Sequence, residues 1–557
     1  MSDVVLINPN INIVDKEKDH YSVLDHLGLG LVAASLERSG ISVEIIDGYA
    51  LNLSKEVLIE KALRAKPSFV GITCNFIGFE DAIDIARNIA SVDNNPFIFM
   101  GGEHCTYSAD EILANYHFVD AIVRGEGEIT SVELINNFNI LSNVAGIYYR
   151  DQKSGKVFKN PDRKAIDNLD DIPFARRDTL DYCKTHKETS IIGMLTQRGC
   201  NLDCHFCNAH TFFRLGGGKF IRRRSPQNIA DEIEILHEKY YRFNMIEKMY
   251  FYDANFIDGS RQSKQWAQEL AHEIIKRNII IPFEVYMRGD SVSPEHDQEL
   301  IDILKKAGLS SVFIGIESFD QNDLNVFGKK IETDNMERTI NFLIENDIFG
   351  LTQGLIMFNP YSTFQGLRRT ADFLLKYNLA SFWNMSQKLQ LFPGVKLISK
   401  LSSEGLLDNK INSNEVYSYK FQSQSIEKMS NYLIAMNDNP IVINDNAIMR
   451  YVRGAVPELY KSVSDFPDII KLLHPINLLI NKKIKEINEL NHSYFVNIIS
   501  SYESGVPQDK IDKYKSEYLS SSDKSVRDLD NLYNDMLRTV DKSLSEKIIN
   551  NKVAETI

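Results

Sequence analysis

Three cysteines are the most chemically specific feature of this chain. The stretch Gln197-Arg198-Gly199-Cys200-Asn201-Leu202-Asp203-Cys204-His205-Phe206-Cys207 spaces Cys200, Cys204 and Cys207 as C-x3-C-x2-C. Three thiolates on one short loop can converge on a metal centre, because soft sulfur donors favour iron–sulfur clusters or zinc. A tetrahedral zinc site would need a fourth ligand, for which His205 and His210 stand nearby. No fourth cysteine follows in register. Three ligands on a four-iron cluster leave one iron open to a substrate or cofactor, so the pattern favours a cluster over zinc, and zinc over unrelated buried thiols. The remaining cysteines, Cys74, Cys105 and Cys183, are scattered, too sparse a set for a disulfide scaffold.

The elements that must position this loop follow from the hydrophobic pattern. In the first ~150 residues, strand-like runs at Val4–Ile7, Ser42–Ile46, Phe69–Thr73, Phe97–Met100 and Ala121–Val123 alternate with helical stretches at Gly30–Arg38, Lys55–Ala65 and Glu80–Ile89. That alternation predicts a parallel, doubly wound sheet with its ligand crevice at the strand C-termini. Asn8, Asp47-Gly48, Thr73 with Asn75, Gly101-Gly102 and Gly125-Glu126-Gly127-Glu128 fall there. No G-x-G-x-x-G follows the first strand, which argues against a dinucleotide site of the usual kind.

Residues 151–190 read as a linker. From Ile191 longer units resume, with strands expected near Ile191–Thr196, Met249–Asp253, Phe283–Arg288, Ser311–Glu317, Thr352–Phe358 and Phe382–Leu391. Helices are expected between them at Asn228–Lys239, Gln262–Arg277, Gln298–Lys306, Asn335–Glu345 and Gly366–Tyr377. Six βα units predict a partial (β/α)6 barrel whose chemistry sits at the strand C-termini. Beyond it, amphipathic stretches such as Ile476–Leu490 predict a helical region. The expected organisation is an α/β chain with domains at 1–150, 191–410 and 411–557. Arg222, Arg223 and Arg224, after Lys219, read as a solvated charge run. Gly216-Gly217-Gly218 lacks the Lys-Ser/Thr of a phosphate loop, and Trp383 and Tyr286 read as pocket walls or core.

Composition narrows the class. A length of 557 residues implies two or three domains, and 43% hydrophobic with 25% charged residues excludes wholesale disorder. With 63 Lys and Arg against 76 Asp and Glu the formal charge is -13, which argues against nucleic acid as a partner. No apolar run approaches the ~18 residues of a membrane span. The opening Met1-Ser2-Asp3-Val4 carries no basic n-region, and a cytoplasmic protein is expected.

On Cys200, Cys204, Phe206 and Cys207 the loop resembles that of the radical S-adenosylmethionine superfamily, C-x3-C-x-aromatic-C at the end of the first barrel strand. The resemblance implies a [4Fe–4S] cluster on the three cysteines. Its open iron would bind the amino and carboxylate groups of S-adenosylmethionine, and its electron would release a 5′-deoxyadenosyl radical. Phe206 would lie by the adenine. Ser311-Val312-Phe313-Ile314-Gly315-Ile316-Glu317-Ser318 looks like the superfamily's "iGiES" strand, which implies that Glu317 and Ser318 face S-adenosylmethionine. Arg288 resembles the arginine that often accompanies it, and Tyr252-Asp253-Ala254 stands where the superfamily approaches the methionyl amine.

The N-terminal region resembles the cobalamin-binding domain that precedes the radical domain in one large class of these enzymes. Leu27–Ala34, Gly101-Gly102-Glu103-His104-Cys105-Thr106 and Val123-Arg124-Gly125-Glu126-Gly127-Glu128 carry the likeness. It implies a cobalamin site drawn from Asn8, Asp47, Thr73, Gly101, Gly102, His104, Gly125 and Glu126. Cobalamin mutases carry Asp-x-His-x-x-Gly, whose histidine ligates cobalt. Here Asp25-His26-Leu27-Gly28 has the wrong spacing, so cobalamin is expected without a histidine lower ligand. The likeness spans nearly all of residues 1–400 and fades in the tail.

The resemblance implies a cobalamin-dependent C-methyltransferase acting on an unactivated carbon of a natural product or other small molecule, with a flavodoxin- or ferredoxin-type electron donor. Radical cyclisation, rearrangement or another C–H functionalisation, with cobalamin assisting or absent, is the alternative. A zinc-stabilised binding protein is the reading from a different class. Methylthio transfer would require a second cysteine triad, which the N-terminal region lacks.

Overall fold

Val4–Asn8 is buried along its whole length, as a strand with neighbours on both faces must be. In the computed structural model, which describes residues 3–10, 23–76, 78–93, 95–186, 189–350, 353–411 and 416–554, this strand is central to a seven-stranded sheet. The sheet order is Val43–Asp47, Val4–Asn8, Phe69–Thr73, Phe97–Gly101, Ala121–Val123, Ile147–Arg150, Val157–Lys159. The first five strands are parallel, and the last two extend the edge antiparallel, the final one lying within 151–190. Helices cover both faces. Lys55–Arg64 and Phe79–Ala90 bury Leu58, Ala62, Ile83 and Ala86 against one core, while Leu27–Arg38 and Gly127–Asn136 bury Leu29, Ala33, Leu36 and Leu134 against the other. The sheet is therefore doubly wound. Its connections reverse direction at Val4–Asn8, which opens a crevice beyond the ends of this strand and Phe69–Thr73.

Two compact units divide the chain. The first comprises Met1–Gly315, Phe327–Gly350 and Gln390–Tyr419; the second comprises Ile316–Val326, Leu351–Leu389 and Lys420–Ile557. Besides the first sheet, the first unit holds the strands Val23–Leu24, Ser190–Met194, Ile246–Phe251, Phe283–Arg288 and Leu309–Glu317, parallel to one another in that order, the last running on into the second unit. Alternation sorts their side chains. Met249, Phe251, Val285, Met287, Val312 and Ile314 are fully buried on one face, whereas Tyr250, Tyr286, Arg288 and Phe313 are half-buried on the other. Helix starts are fixed locally, since Ser225 and Ser260 accept hydrogen bonds from Asn228 N and Ser263 N at the heads of Pro226–Lys239 and Arg261–Arg277.

Two expectations change. Val23–Leu24 adds an edge strand that the sequence did not advertise, and Phe382–Leu391, expected as the sixth barrel strand, is not one. Ser381 caps a helical turn at Phe382–Met385 through Asn384 N, leaving only isolated bridges from Lys388 to Phe358 and from Leu391 to Tyr417. Thr352, at the expected start of the fifth strand, lies outside the described residues, and that strand is confined to Gly354–Leu355. The second unit is mainly helical. Pro440–Ser462, Pro467–Glu503 and Gln508–Ala554 share a core that includes Val452, Ile480, Ile487 and Leu529. Among the described residues, no helix is long and apolar enough to cross a membrane.

Candidate functional site

The cysteine loop leaves the short strand Gln197–Gly199, which pairs antiparallel with Ile221–Arg223. Gly199 has φ +90°, and a Cβ there would lie 2.1 Å from Phe220 O, so only glycine fits this exit. Cys200 is buried, and Cys204 and Cys207 are half-buried. The loop is held from several sides. His205 N donates to Phe327 O (2.8 Å), Leu397 N donates to His205 O (2.9 Å), and the Phe206 ring packs edge-on to Phe327 at 5.3 Å. Burial raises the pKa of the Cys200 thiol, and the nearby Arg288 guanidinium works in the opposite direction. Arg288 itself is fixed by two hydrogen bonds to Asp290, at 2.7 and 2.9 Å.

Three soft donors on one anchored loop beside a cation fit an iron–sulfur cluster. His210, considered as a fourth ligand, faces Asp203 at 3.3 Å.

At the crevice of the first sheet, Asn8 Nδ2 donates to Asp47 Oδ1 (2.8 Å), and Asp47 also accepts from Ala50 N (3.0 Å). His26, absent from the expected site, stands against this pair. Its Nδ1 accepts from Leu29 N (3.1 Å), capping the helix Leu27–Arg38, and its Nε2 faces Thr73 Oγ1 at 3.5 Å. In the neutral ring the proton then sits on Nε2, leaving that nitrogen no lone pair for a metal. Burial lowers the His26 pKa, with Asp47 partly opposing it, and burial raises that of Asp47.

Gly101 and Gly102 end the neighbouring strand. Gly102 has φ +104°, with its missing Cβ 2.5 Å from Cys74 O. His104 follows, fully buried between Phe76 and Phe79 at ring distances of 5.3 and 4.5 Å, and burial pushes its pKa down to about 4. Among the described residues, neither ring nitrogen has a hydrogen-bond partner. That unsatisfied polarity beside a switch-point crevice fits a site for a large polar cofactor.

The helix Glu103–Tyr107 joins this edge to the cysteine loop. Tyr107 Oη lies 2.8 Å from Thr211 Oγ1 and donates to Asn208 O (3.3 Å), just past Cys207. A second joint is ionic. Arg198, two residues before Cys200, donates to Glu126 (3.0 Å) and to Glu128. Arg222 binds Glu126 at 2.8 and 3.0 Å and caps Ile166 O at 2.6 Å. Burial opposes the charge on Arg198, but the two carboxylates hold its pKa above the ordinary value; Glu126, equally opposed by burial, is held below its own by Arg198 and Arg222. Gly125 N donates to Thr106 Oγ1 (3.0 Å), tying this turn back to the Gly101–Thr106 stretch.

The expected solvated arginine run is thus a correction. Lys219 is exposed, but Arg222 and Arg224 are buried and Arg223 is half-buried, paired with Glu126, Glu232 and Asp258 respectively. Trp383 is 53% exposed and lines no core, whereas the half-buried Tyr286 packs edge-on to Phe313 at 4.8 Å.

Asp253 is almost fully buried, and its carboxylate accepts from Thr196 N (2.8 Å), Gln197 N (2.9 Å) and the Thr196 hydroxyl. It holds the entry to the cysteine loop, and burial pushes its pKa up to about 6. Glu317 and Ser318 fall in the second unit. Glu317 has φ +61°, a strained setting for a non-glycine residue at a strand end. The buried Ser318 hydroxyl donates to Asp323 (2.8 Å) and accepts from Asp320 N (3.1 Å). Arg198 and Tyr107 carry no sequence signal of their own, because their partners are distant in the chain; glycines flanking charged residues at 125–128 and 198–199 were the available signal.

Comparison with known proteins gives two family matches, a B12 binding domain over residues 20–135 and the radical SAM superfamily over residues 194–374. An uncharacterized methyltransferase of Pyrococcus horikoshii is 30% identical over 309 residues, 55% of this chain and 63% of that protein. An anaerobic magnesium-protoporphyrin IX monomethyl ester cyclase of Rubrivivax gelatinosus is 28% identical over 372 residues, 63% of this chain and 61% of that protein. The chain thus spans less than two thirds of the length of these relatives. The structure of OxsB, a cobalamin-dependent S-adenosylmethionine radical enzyme with aqua-cobalamin bound, shares the fold at TM-score 0.68 and 19% identity, covering 98% of this chain and 81% of that one.

Proposed function

We propose that this chain, which belongs to the radical S-adenosylmethionine superfamily and carries a B12-binding domain ahead of its radical domain, is a methyltransferase acting at an unactivated carbon of a small molecule. One observation carries the reading: Tyr107, behind the Gly101-Gly102 edge of the first sheet, hydrogen-bonds Thr211 just past the cysteine loop. One short helix thereby connects the Gly101-Gly102 edge to the segment that follows the cysteine loop. The methyltransferase named among the relatives agrees with it.

In this reading Cys200, Cys204 and Cys207 hold a [4Fe–4S] cluster, Phe206 and Arg288 border S-adenosylmethionine, and Glu317 and Ser318, at the end of the strand that resembles the superfamily's, are further residues for the same ligand. The corrinoid rests on Asn8, Asp47, Thr73, Gly101, Gly102 and His104. When bound, these cofactors supply a carbon-centred radical and a transferable methyl group. The chain's own residues position and enclose. Asp253 fixes the backbone at Thr196 and Gln197, Gly199 makes the turn, and Arg198 anchors the strand between them to Glu126 and Glu128. Glu126 and Gly125 belong to this joint rather than to the corrinoid, since the Glu126 carboxylate already takes Arg198, Arg222 and Ile166 N. The proposed domains are 1–150, 191–410 and 411–557 around a 151–190 linker, with reducing electrons from a flavodoxin- or ferredoxin-type donor.

The test is anaerobic reconstitution with iron, sulfide and hydroxocobalamin, followed by turnover of S-adenosylmethionine with a reductant. Retained corrin, about four irons, and both S-adenosylhomocysteine and 5′-deoxyadenosine among the products are expected, with Cys200→Ala losing the iron. Iron and 5′-deoxyadenosine without S-adenosylhomocysteine would replace methyl transfer by the cyclase-type reading that the Rubrivivax relative represents.

A further inference from the structure

The helices of the second unit border an open cavity that plays no part in the site above. It has a volume of about 400 Å³ and lies between Pro440–Ser462 and Pro467–Glu503, with Asn378 at its rim. That size falls in the range of small-molecule pockets. Its wall is largely apolar, formed by Val456, Ile480 and Ile484.

Arg453 is the one charged residue lining the cavity. Its guanidinium donates to Asn378 O (2.9 Å), and among the described residues no carboxylate lies within ion-pair distance. An arginine presents five N–H donors, so most of this fork is left for a ligand. Burial holds its pKa below the ordinary value with no acidic neighbour working against it, the reverse of Arg198.

Further polar groups line the same wall. The Tyr460 hydroxyl is buried at the cavity wall with Asn477 beside it as its near polar neighbour. Pro457, inside the helix and at the cavity, has no N–H, so the carbonyl of Arg453 one turn earlier loses its helical donor. Asn477 and Asn481 add carboxamides, joined by a weak 3.4 Å hydrogen bond. A cation with donors to spare, beside carboxamides and a hydroxyl on one apolar pocket wall, is what a bound polar-headed ligand would engage.

The geometry points to a binding site for a small amphiphilic monoanion, its carboxylate on Arg453 and its apolar body against Val456, Ile480 and Ile484. A single cation matches one negative charge better than the two of a phosphate monoester. The guanidinium fork also matches a carboxylate edge. The assignment is independent of the radical chemistry and gives the helical region a ligand of its own.

Dodecanoate is the probe, titrated calorimetrically into the reconstituted full-length chain, with dodecylammonium as the charge-reversed control. Saturable binding near one per chain is expected for dodecanoate alone. Arg453→Gln should weaken it by about tenfold or more, Arg453→Lys should restore most of it, and Tyr460→Phe should weaken it several-fold. Should Arg453→Gln fail to fold, the Tyr460→Phe comparison still decides. Equal affinity in Arg453→Gln or, where that variant does not fold, in Tyr460→Phe would overturn the assignment. So would equal binding of dodecylammonium, or no saturable dodecanoate binding up to about 1 mM.

Discussion

Replacing Arg198 by methionine removes the hydrogen-bond partner that the structure gives the buried Glu128 carboxylate, and one of two arginines on Glu126. All three side chains are 5–7% exposed, so water cannot take over. Breaking a buried pair from one side costs about 3–5 kcal/mol, because a charge is left uncompensated. Glu128→Gln should cost less, about 1–2 kcal/mol, since Arg198 keeps Glu126 and the amide oxygen still accepts. The double variant then loses little beyond Arg198→Met alone, which implies a coupling of about 1–2 kcal/mol. The chain supplies its own reporter. Of its two tryptophans, Trp266 is buried in the first unit, with Nε1 donating to Arg224 O (2.9 Å), and Trp383 is exposed in the second. In a Trp383→Phe background, urea unfolding followed by Trp266 fluorescence reads the first unit. If Arg198→Met and Glu128→Gln add within about 0.5 kcal/mol, or if both are neutral, the ionic joint contributes nothing and the reasoning fails.

His104 gives a pH dependence. Its folded pKa, about 4, lies below the ordinary value of 6.5, so its contribution is complete above pH 6.5 and is lost as pH falls towards 4. At about 1.4 kcal/mol per pH unit the loss reaches about 3 kcal/mol, and His104→Leu should flatten this acid limb; an unchanged limb would assign it to other groups. Gly193→Ala would set a Cβ 2.3 Å from Tyr252 Cε2, and the displaced ring should lower stability by about 1–3 kcal/mol in the Trp266 transition. Tyr107→Phe removes the hydroxyl contact to Thr211, with an expected loss of about 1 kcal/mol and iron content at the wild-type level. Iron loss in that variant would mean that Tyr107 supports the cysteine loop itself.

What the sequence determined by itself is what depends on near neighbours. The spacing of Cys200, Cys204 and Cys207 places three thiolates on one loop whatever surrounds it, and the first sheet's strands and helices follow from period and breakers within a dozen residues. Even Gly199 is a local matter, a φ of +90° next to the loop it releases. Tertiary structure alone decided the rest. Glu126 meets Arg198 at a separation of 72 residues and Arg222 at 96, and nothing local tells a buried arginine from a solvated one. Val23–Leu24 becomes a strand only because Ser190–Met194 presents an open edge. The cavity at Arg453 exists only where two long helices and Asn378 come together. Charge pairing, edge pairing and cavities are properties of surfaces brought together from distant parts of the chain, and a local pattern does not encode them.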